Sequence, residues 1–255
     1  MCADVAAKRT RFRELHRTGC FLIPNPWDIG SAKRLERMGF VALASTSSGS
    51  AWALGREDGD LSRDEVLQHL RTLCDHTSVP INADFEAGFA DSLPDLAESV
   101  RLIIDTGVAG FSIEDFSNGK LHDLQEAAER IRCAREAIRT SGHDVVLVAR
   151  AEGFLRGKPD LNDVIARLRA YSDAGADCLY APGIYELGAI REIVSAVAPK
   201  SVNVLLHRPG LRVAELAEVG VRRISTGGAL AAAAWAGFER AAKMLRDDGT
   251  MPPRA

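Results

Sequence analysis

The sequence predicts an α/β protein built as a (β/α)8 TIM barrel. Three observations predict it: a recurring helix–glycine–strand boundary, the 68-residue spacing of its first three instances (the fourth follows after 45), and polar residues concentrated at the predicted strand ends. Four times a helix-like segment runs into a glycine and then a short apolar run. The glycines are Gly39 before Phe40-Val41-Ala42-Leu43, Gly107 before Val108-Ala109-Gly110-Phe111, Gly175 before Ala176-Asp177-Cys178-Leu179, and Gly220 before Val221-Arg222-Arg223-Ile224. A glycine just past a helix end accepts the left-handed conformation that closes the last turn. Gly39, Gly107 and Gly175 lie 68 residues apart. That is about twice the roughly 30 residues of one βαβ unit, so each interval holds two strand–helix units.

Taken in order, a leading helix is expected at about residues 5–17, followed by a first strand at Phe21-Leu22-Ile23-Pro24. The other strands between the glycines are Val79-Pro80-Ile81-Asn82-Ala83, Val145-Val146-Leu147-Val148-Ala149 and Ser201-Val202-Asn203-Val204-Leu205. All are apolar without clean alternation, as strands covered on both faces are. Helices are expected at 62–77, 92–105, 123–140 and 162–173, with apolar residues three and four apart. The first opens on Ser62 with Glu65 three later, a capping box. A last, Ala-rich helix is expected at 229–246. The count is eight strands and eight helices plus the leader, one barrel domain over residues 1–255. The rival, a doubly wound open sheet, would carry a GxGxxG phosphate fingerprint after a strand, and none is present.

Composition narrows the class. Apolar residues make up 46% of 255 and charged residues 26%, as in soluble globular proteins. With 32 Lys+Arg against 35 Asp+Glu, net charge −3, nothing favours nucleic acid. The most apolar stretch, residues 227–238, falls short of the roughly 20 residues of a membrane span. The start turns charged too early for a secretory signal. Five scattered cysteines without a CxxC pair read as reduced thiols of a cytoplasmic protein.

In a TIM barrel the chemistry sits at the C-terminal ends of the strands. There the sequence places Asn25-Pro26-Trp27-Asp28, Ser45-Thr46-Ser47-Ser48-Gly49-Ser50, Asp84-Phe85-Glu86, Glu114-Asp115, Arg150-Ala151-Glu152, His207 and Ser225-Thr226-Gly227-Gly228. Carboxylates crowded into one mouth are costly without a cation among them. Their oxygen donors suit a hard ion, Mg²⁺ with Mn²⁺ as a substitute; the alternative is that Asp84 and Glu114 pair with Arg150. Arg150 suits a substrate carboxylate bidentately, and Ser48, Gly49 and Ser50 can offer N–H groups and hydroxyls to the same anion, or form an ordinary polar loop. His207 reads as an acid–base candidate or a structural partner. His16, His69, His76, His122 and His143 read as solvated, and Trp27 and Trp52 as pocket walls or packing residues.

These strand-end segments resemble the isocitrate lyase / phosphoenolpyruvate mutase superfamily over about residues 12–245. The resemblance rests on Leu22-Ile23-Pro24-Asn25-Pro26-Trp27-Asp28, Thr46-Ser47-Ser48-Gly49, Asn82-Ala83-Asp84-Phe85-Glu86-Ala87-Gly88-Phe89, Ile113-Glu114-Asp115, Val148-Ala149-Arg150, Asn203-Val204 and Ser225-Thr226-Gly227-Gly228. It implies a Mg²⁺-dependent barrel enzyme acting on 2-oxo acids or their enolates. By the same resemblance Asp84 is the direct metal ligand, and Glu86 and Glu114 act through metal-bound water. Ser48, Gly49, Ser50, Arg150 and Asn203 are the substrate-binding set, and Asp58, Arg150 and Ser48 the catalytic candidates. It also implies a homo-oligomer, dimer or tetramer, in which the helix at 229–246 can pack on a neighbour.

The departures set expectations too. Isocitrate and methylisocitrate lyases carry a Lys-Lys-Cys-Gly-His stretch after strand 4. Here that stretch is Asn118-Gly119-Lys120-Leu121-His122-Asp123, without cysteine, which argues against both activities. It also lacks the loop element of phosphonopyruvate-handling members. Ala151-Glu152 stands where the family has Thr-Asp, and Glu86 where Asp is more frequent. The favoured reading is a lyase or decarboxylase acting on an oxaloacetate-like 2-oxo acid. The alternatives are a P–C bond hydrolase or mutase, and a barrel that binds Mg²⁺ and a 2-oxo acid without turnover.

Overall fold

The computed structural model describes residues 2–253. Eight parallel strands form the barrel: β1 Phe21–Ile23, β2 Leu43–Ala44, β3 Ile81–Asp84, β4 Gly110–Glu114, β5 Val146–Arg150, β6 Cys178–Tyr180, β7 Ser201–Leu205 and β8 Arg223–Ser225. Their order is β1-β8-β7-β6-β5-β4-β3-β2. The Ala44 N–H donates to the Pro24 carbonyl at 3.1 Å, and Asn25 Nδ2 to the Ser45 carbonyl at 2.7 Å. These two bonds draw β1 and β2 together and nearly close the barrel.

The helices are α1 Cys2–Leu15, α2 Ile29–Arg37, α3 Ser47–Ala53, α4 Arg63–His76, α5 Leu93–Ile104, α6 Leu124–Ser141, α7 Leu161–Asp173, α8 Leu187–Val197, α9 Val213–Glu218 and α10 Ala229–Asp248. The boundary glycines behave as expected, with φ of +88° at Gly39, +90° at Gly107, +103° at Gly175 and +91° at Gly220. Ser62 and Glu65 form the capping box of α4. Two features depart from the sequence expectation. The polar stretch after β2 is a helix, α3, because the Thr46 side chain caps it by accepting from the Gly49 N–H; the helices after the leader therefore number nine among the described residues. The stretch after β4 folds back as a hairpin, Phe116–Ser117 with Lys120–Leu121. Asn118 and Gly119 turn it, both at positive φ.

Alternation along the strands divides the core. Outward residues such as Phe111, Leu147 and Leu179 pack with Leu67, Leu70, Leu96 and Val100 of the helices. Inward residues such as Val146, Val148 and Cys178 meet Phe12, Phe21 and Ile23 in a second cluster. Phe12, fully buried, lies so close to Gly110 that a Cβ there would fall 2.7 Å from its ring. The last helix differs from the rest. Among the described residues of α10 only Ala231 is buried, while Trp235, Phe238, Met244 and Leu245 are exposed. No helix of the described residues is long and apolar enough to cross a membrane.

Candidate active site

A cavity of about 840 Å³ opens at the C-terminal ends of the strands. Register builds its floor. Glu114 pairs with Arg150 across β4 and β5, and Arg150 with Tyr180 across β5 and β6. Arg150 Nη1 donates to Asp84 Oδ1 at 2.5 Å and its Nε to Glu152 Oε1 at 3.0 Å, while Nη2 lies 3.0 Å from Glu114 Oε2. Burial works against the guanidinium's charge, but Glu114, Glu152 and Asp84 outweigh it and hold its pKa well above the ordinary range. The alternative pairing expected of Asp84 and Glu114 is thus present.

Glu86 enters the cavity from a tight turn after β3. Its φ is +46°, followed by +87° at Gly88 and +53° at Phe89. The turn holds because Gly88 N–H donates to the Phe85 carbonyl and Glu114 N–H to that of Glu86, while Phe85 is fully buried. Side chains rarely occupy such backbone, and it persists where packing overdetermines it. Burial, then the charges of Asp84 and Asp58, push the Glu86 carboxyl up to about 7. Burial, opposed by Arg150 and reinforced by Glu152 and Asp84, raises Glu114 well above the carboxylate range.

The cavity brings together Asp58, Glu86, Glu114 and Arg150. Asp84 sits at its edge, where Oδ2 accepts from the Ser47 N–H at 3.2 Å, and Ser47 itself lines the wall. Ser48 and Gly49 follow in α3; the Ser48 hydroxyl is 3.1 Å from that of Thr46, and Gly49 N–H donates to Thr46. Ser50 and Asn203 are not brought to the cavity wall. Ser50 Oγ faces His69 Nε2 at 3.1 Å. Asn203, 1% exposed, accepts from Arg223 Nε and donates to Ser225 Oγ inside the barrel. His207 lies 3.0 Å from the Tyr185 hydroxyl, outside the cavity. Trp52 is on the outer side, lining a groove with Ala232 and Trp235 of α10.

Sequence reasoning missed several contributors. Glu152 is fully buried, and its Oε2 has no hydrogen-bond partner; Arg156 Nη2 is the cation near it, at 3.6 Å. Arg63 and Arg156 line the cavity beside Arg150. Behind Glu152, the Asp115 carboxylate accepts from the Glu152 N–H, Arg167 and the Tyr171 hydroxyl. His122, read as solvated, is buried with Nε2 3.0 Å from Ser117 Oγ, since the Asp115 carbonyl accepts its N–H and draws the hairpin inward. Glu152 was visible as the departure two residues past Arg150; Arg156 carried no signal beyond its four-residue spacing from Glu152.

The donor set fits a hard divalent cation. Six carboxylates against three arginines line the cavity, a buried oxygen of Glu152 lacks a partner, and every donor is oxygen. Among the described residues no three acidic, His or Cys side chains converge on one point, because Asp84, Glu114 and Glu152 turn toward Arg150 instead.

The chain is similar to known proteins over most of its length. A family model described as phosphoenolpyruvate phosphomutase matches residues 12–246. A solved structure from Burkholderia cenocepacia J2315, assigned provisionally as a lyase/mutase, is 44% identical with a TM-score of 0.94, covering 98% of this chain and 91% of that one. An uncharacterised Mycobacterium tuberculosis protein (strain H37Rv) is 32% identical over 94% of this chain and 91% of its own length. Oxaloacetate decarboxylase of Pseudomonas entomophila L48 is 28% identical over 86% of this chain and 78% of its own.

Proposed function

The chain belongs to the phosphoenolpyruvate phosphomutase family, and on that premise we propose that it is a Mg²⁺-dependent lyase or decarboxylase of an oxaloacetate-like 2-oxo acid. The observation that carries this reading is the cavity floor, where Asp84, Glu86 and Glu114 surround Arg150 at adjoining strand ends. The similarity to an oxaloacetate decarboxylase over most of the chain supports it. Asp84, backed by Glu86 and Glu114, would hold the cation, which supplies the positive charge that favours electron build-up on the 2-oxo group.

The chain's own residues bind and orient the substrate. Arg150, one arm of whose fork meets Asp84, would have that arm to offer the 2-oxo acid carboxylate were Asp84 to hold the cation. Ser47, on the cavity wall, offers that carboxylate a further donor, while Ser48 and Gly49 behind it hold the α3 N-terminus through Thr46. Glu152 keeps Arg150 in plane through Nε. The Phe116–Leu121 hairpin and Phe89 border the opening and limit water, which strengthens every charge contact inside. Loss of CO₂ leaves an enolpyruvate fragment that needs one proton at C3, and exposed Asp58 in the α3–α4 loop is the carboxylate placed to relay it.

No cysteine lies between Cys74 and Cys133 in the sequence, which supports setting aside isocitrate and methylisocitrate cleavage. A second reading, P–C bond cleavage or rearrangement of a phosphonopyruvate, gains support from Arg63 and Arg156 as additional cavity cations. The bare face of α10 supports assembly into a dimer or tetramer with a second copy covering it.

The test is incubation with Mg²⁺ and pyruvate in D₂O, followed by NMR of the methyl group. Oxaloacetate, other 2-oxo dicarboxylates and phosphonopyruvate are then assayed for pyruvate release. Exchange with release from oxaloacetate is expected. Release from phosphonopyruvate alone would select the second reading, and neither exchange nor release would make the protein a binder without turnover.

A further inference from the structure

Arg156 stands apart from the other charged groups of the cavity. It lies in the β5–α7 loop and is 39% exposed at the side chain. Its guanidinium carbon sits 3.8 Å from the centroid of the Phe116 ring on the hairpin. Its only acidic neighbours among the described residues, Glu114 Oε1 and Glu152 Oε2, are both 3.6 Å away, beyond hydrogen-bond distance. Arg150, by contrast, spends its fork on three carboxylates at 2.5 to 3.0 Å.

An arginine stacked on an aromatic face is oriented without using its N–H donors. Long contacts to two buried carboxylates hold it in place by charge alone. What results is a cation in a preset plane, facing a polar cavity, with its donors still to be satisfied.

We infer that Arg156 is the specificity-determining anchor for a second anionic group on C3 of the 2-oxo acid substrate. The inference rests on the 2-oxo acid reading above. Arg150 and Arg156 flank the same two carboxylates, Glu114 and Glu152, and both line the cavity, which gives it two cations for the two ends of one short dianion. Arg150 takes the carboxylate beside the 2-oxo group, and Arg156 takes the group to be lost. That group is a carboxylate or a phosphonate; both offer the paired oxygens a planar fork recognises.

The experiment measures equilibrium binding by calorimetry in Mg²⁺ to wild type and Arg156→Gln. The probes are pyruvate, 3,3-difluorooxaloacetate and 3-phosphonopyruvate. Loss of one charge-assisted contact is expected to weaken at least one dianion about tenfold to a hundredfold and pyruvate less than about threefold. The dianion that loses more identifies the natural group. Arg156→Lys, which keeps the charge and loses the fork, is expected to fall between. Equal weakening of pyruvate and both dianions, or no weakening, would overturn the assignment of Arg156 alone. Failure of wild type to bind any of the three would overturn the 2-oxo acid reading and this assignment with it.

Discussion

His16 makes this barrel acid-sensitive by an amount the structure sets. It follows α1 directly at the barrel's N-terminal end, where its ring packs edge-on against Phe12 at 4.7 Å and Phe21 at 5.1 Å. Nδ1 lies 2.8 Å from the Phe12 carbonyl and so carries the proton that donates to it, while Nε2 is buried without a partner. Burial first, and then the Arg223 guanidinium, push the imidazole from 6.5 down to about 3. A neutral His in the fold that would rather be charged when unfolded means that the unfolded state binds the extra proton. Stability is therefore intact above pH 6.5 and lost as pH falls from there toward 3. Between pH 7.5 and 4.5 that linkage is worth about 2–3 kcal/mol. His16→Phe keeps the aromatic contacts, forfeits one hydrogen bond worth roughly 1 kcal/mol, and removes the titration. Chemical denaturation of both proteins at pH 7.5 and 4.5 reads the difference directly, since carboxylates common to both cancel. The variant should be slightly less stable at pH 7.5 and more stable at pH 4.5. Parallel losses of stability in the two proteins would refute the reasoning.

Three further outcomes are expected. Asp84→Ala should lower Mg²⁺-dependent turnover at least about a hundredfold, measured as pyruvate release; full activity would remove Asp84 from the site. Gly110→Ala puts a methyl against Phe12, Asn82 and the Val146 carbonyl and should cost about 1–3 kcal/mol by overpacking, seen as a Tm lower by several degrees. Phe238→Glu should shift light-scattering mass toward the monomer without changing the circular dichroism spectrum, because Phe238 is 64% exposed within one chain; an unchanged mass would show that α10 is not the subunit contact.

Much of the barrel was legible from one residue type. Four glycines at helix ends marked the strands that follow, because only glycine closes a helix in the left-handed region cheaply. The strand-end carboxylates were legible for a related reason: barrel strands are apolar along their length, so Asp84, Glu114 and Arg150 stood out where each strand stops. Local signals misled at Ser48-Gly49-Ser50. A polar, glycine-containing stretch looks like a loop, yet the Thr46 cap and packing against α10 make it a helix.

What the sequence determined by itself was periodic or terminal: where strands end, where helices cap, which family's motifs occur in order. Tertiary structure alone decided which charges meet. Arg156 and Phe116 are 40 positions apart, and nothing in either neighbourhood points to the other. They stack because β5 lies beside β4, which sets the hairpin after one strand against the loop after the next. The same closure takes Asn203 out of the cavity, since inward side chains below the mouth of a barrel have only one another to bond. Sequence specifies side chains along one dimension, while electrostatics depends on distance in three, and only the closed barrel converts one into the other.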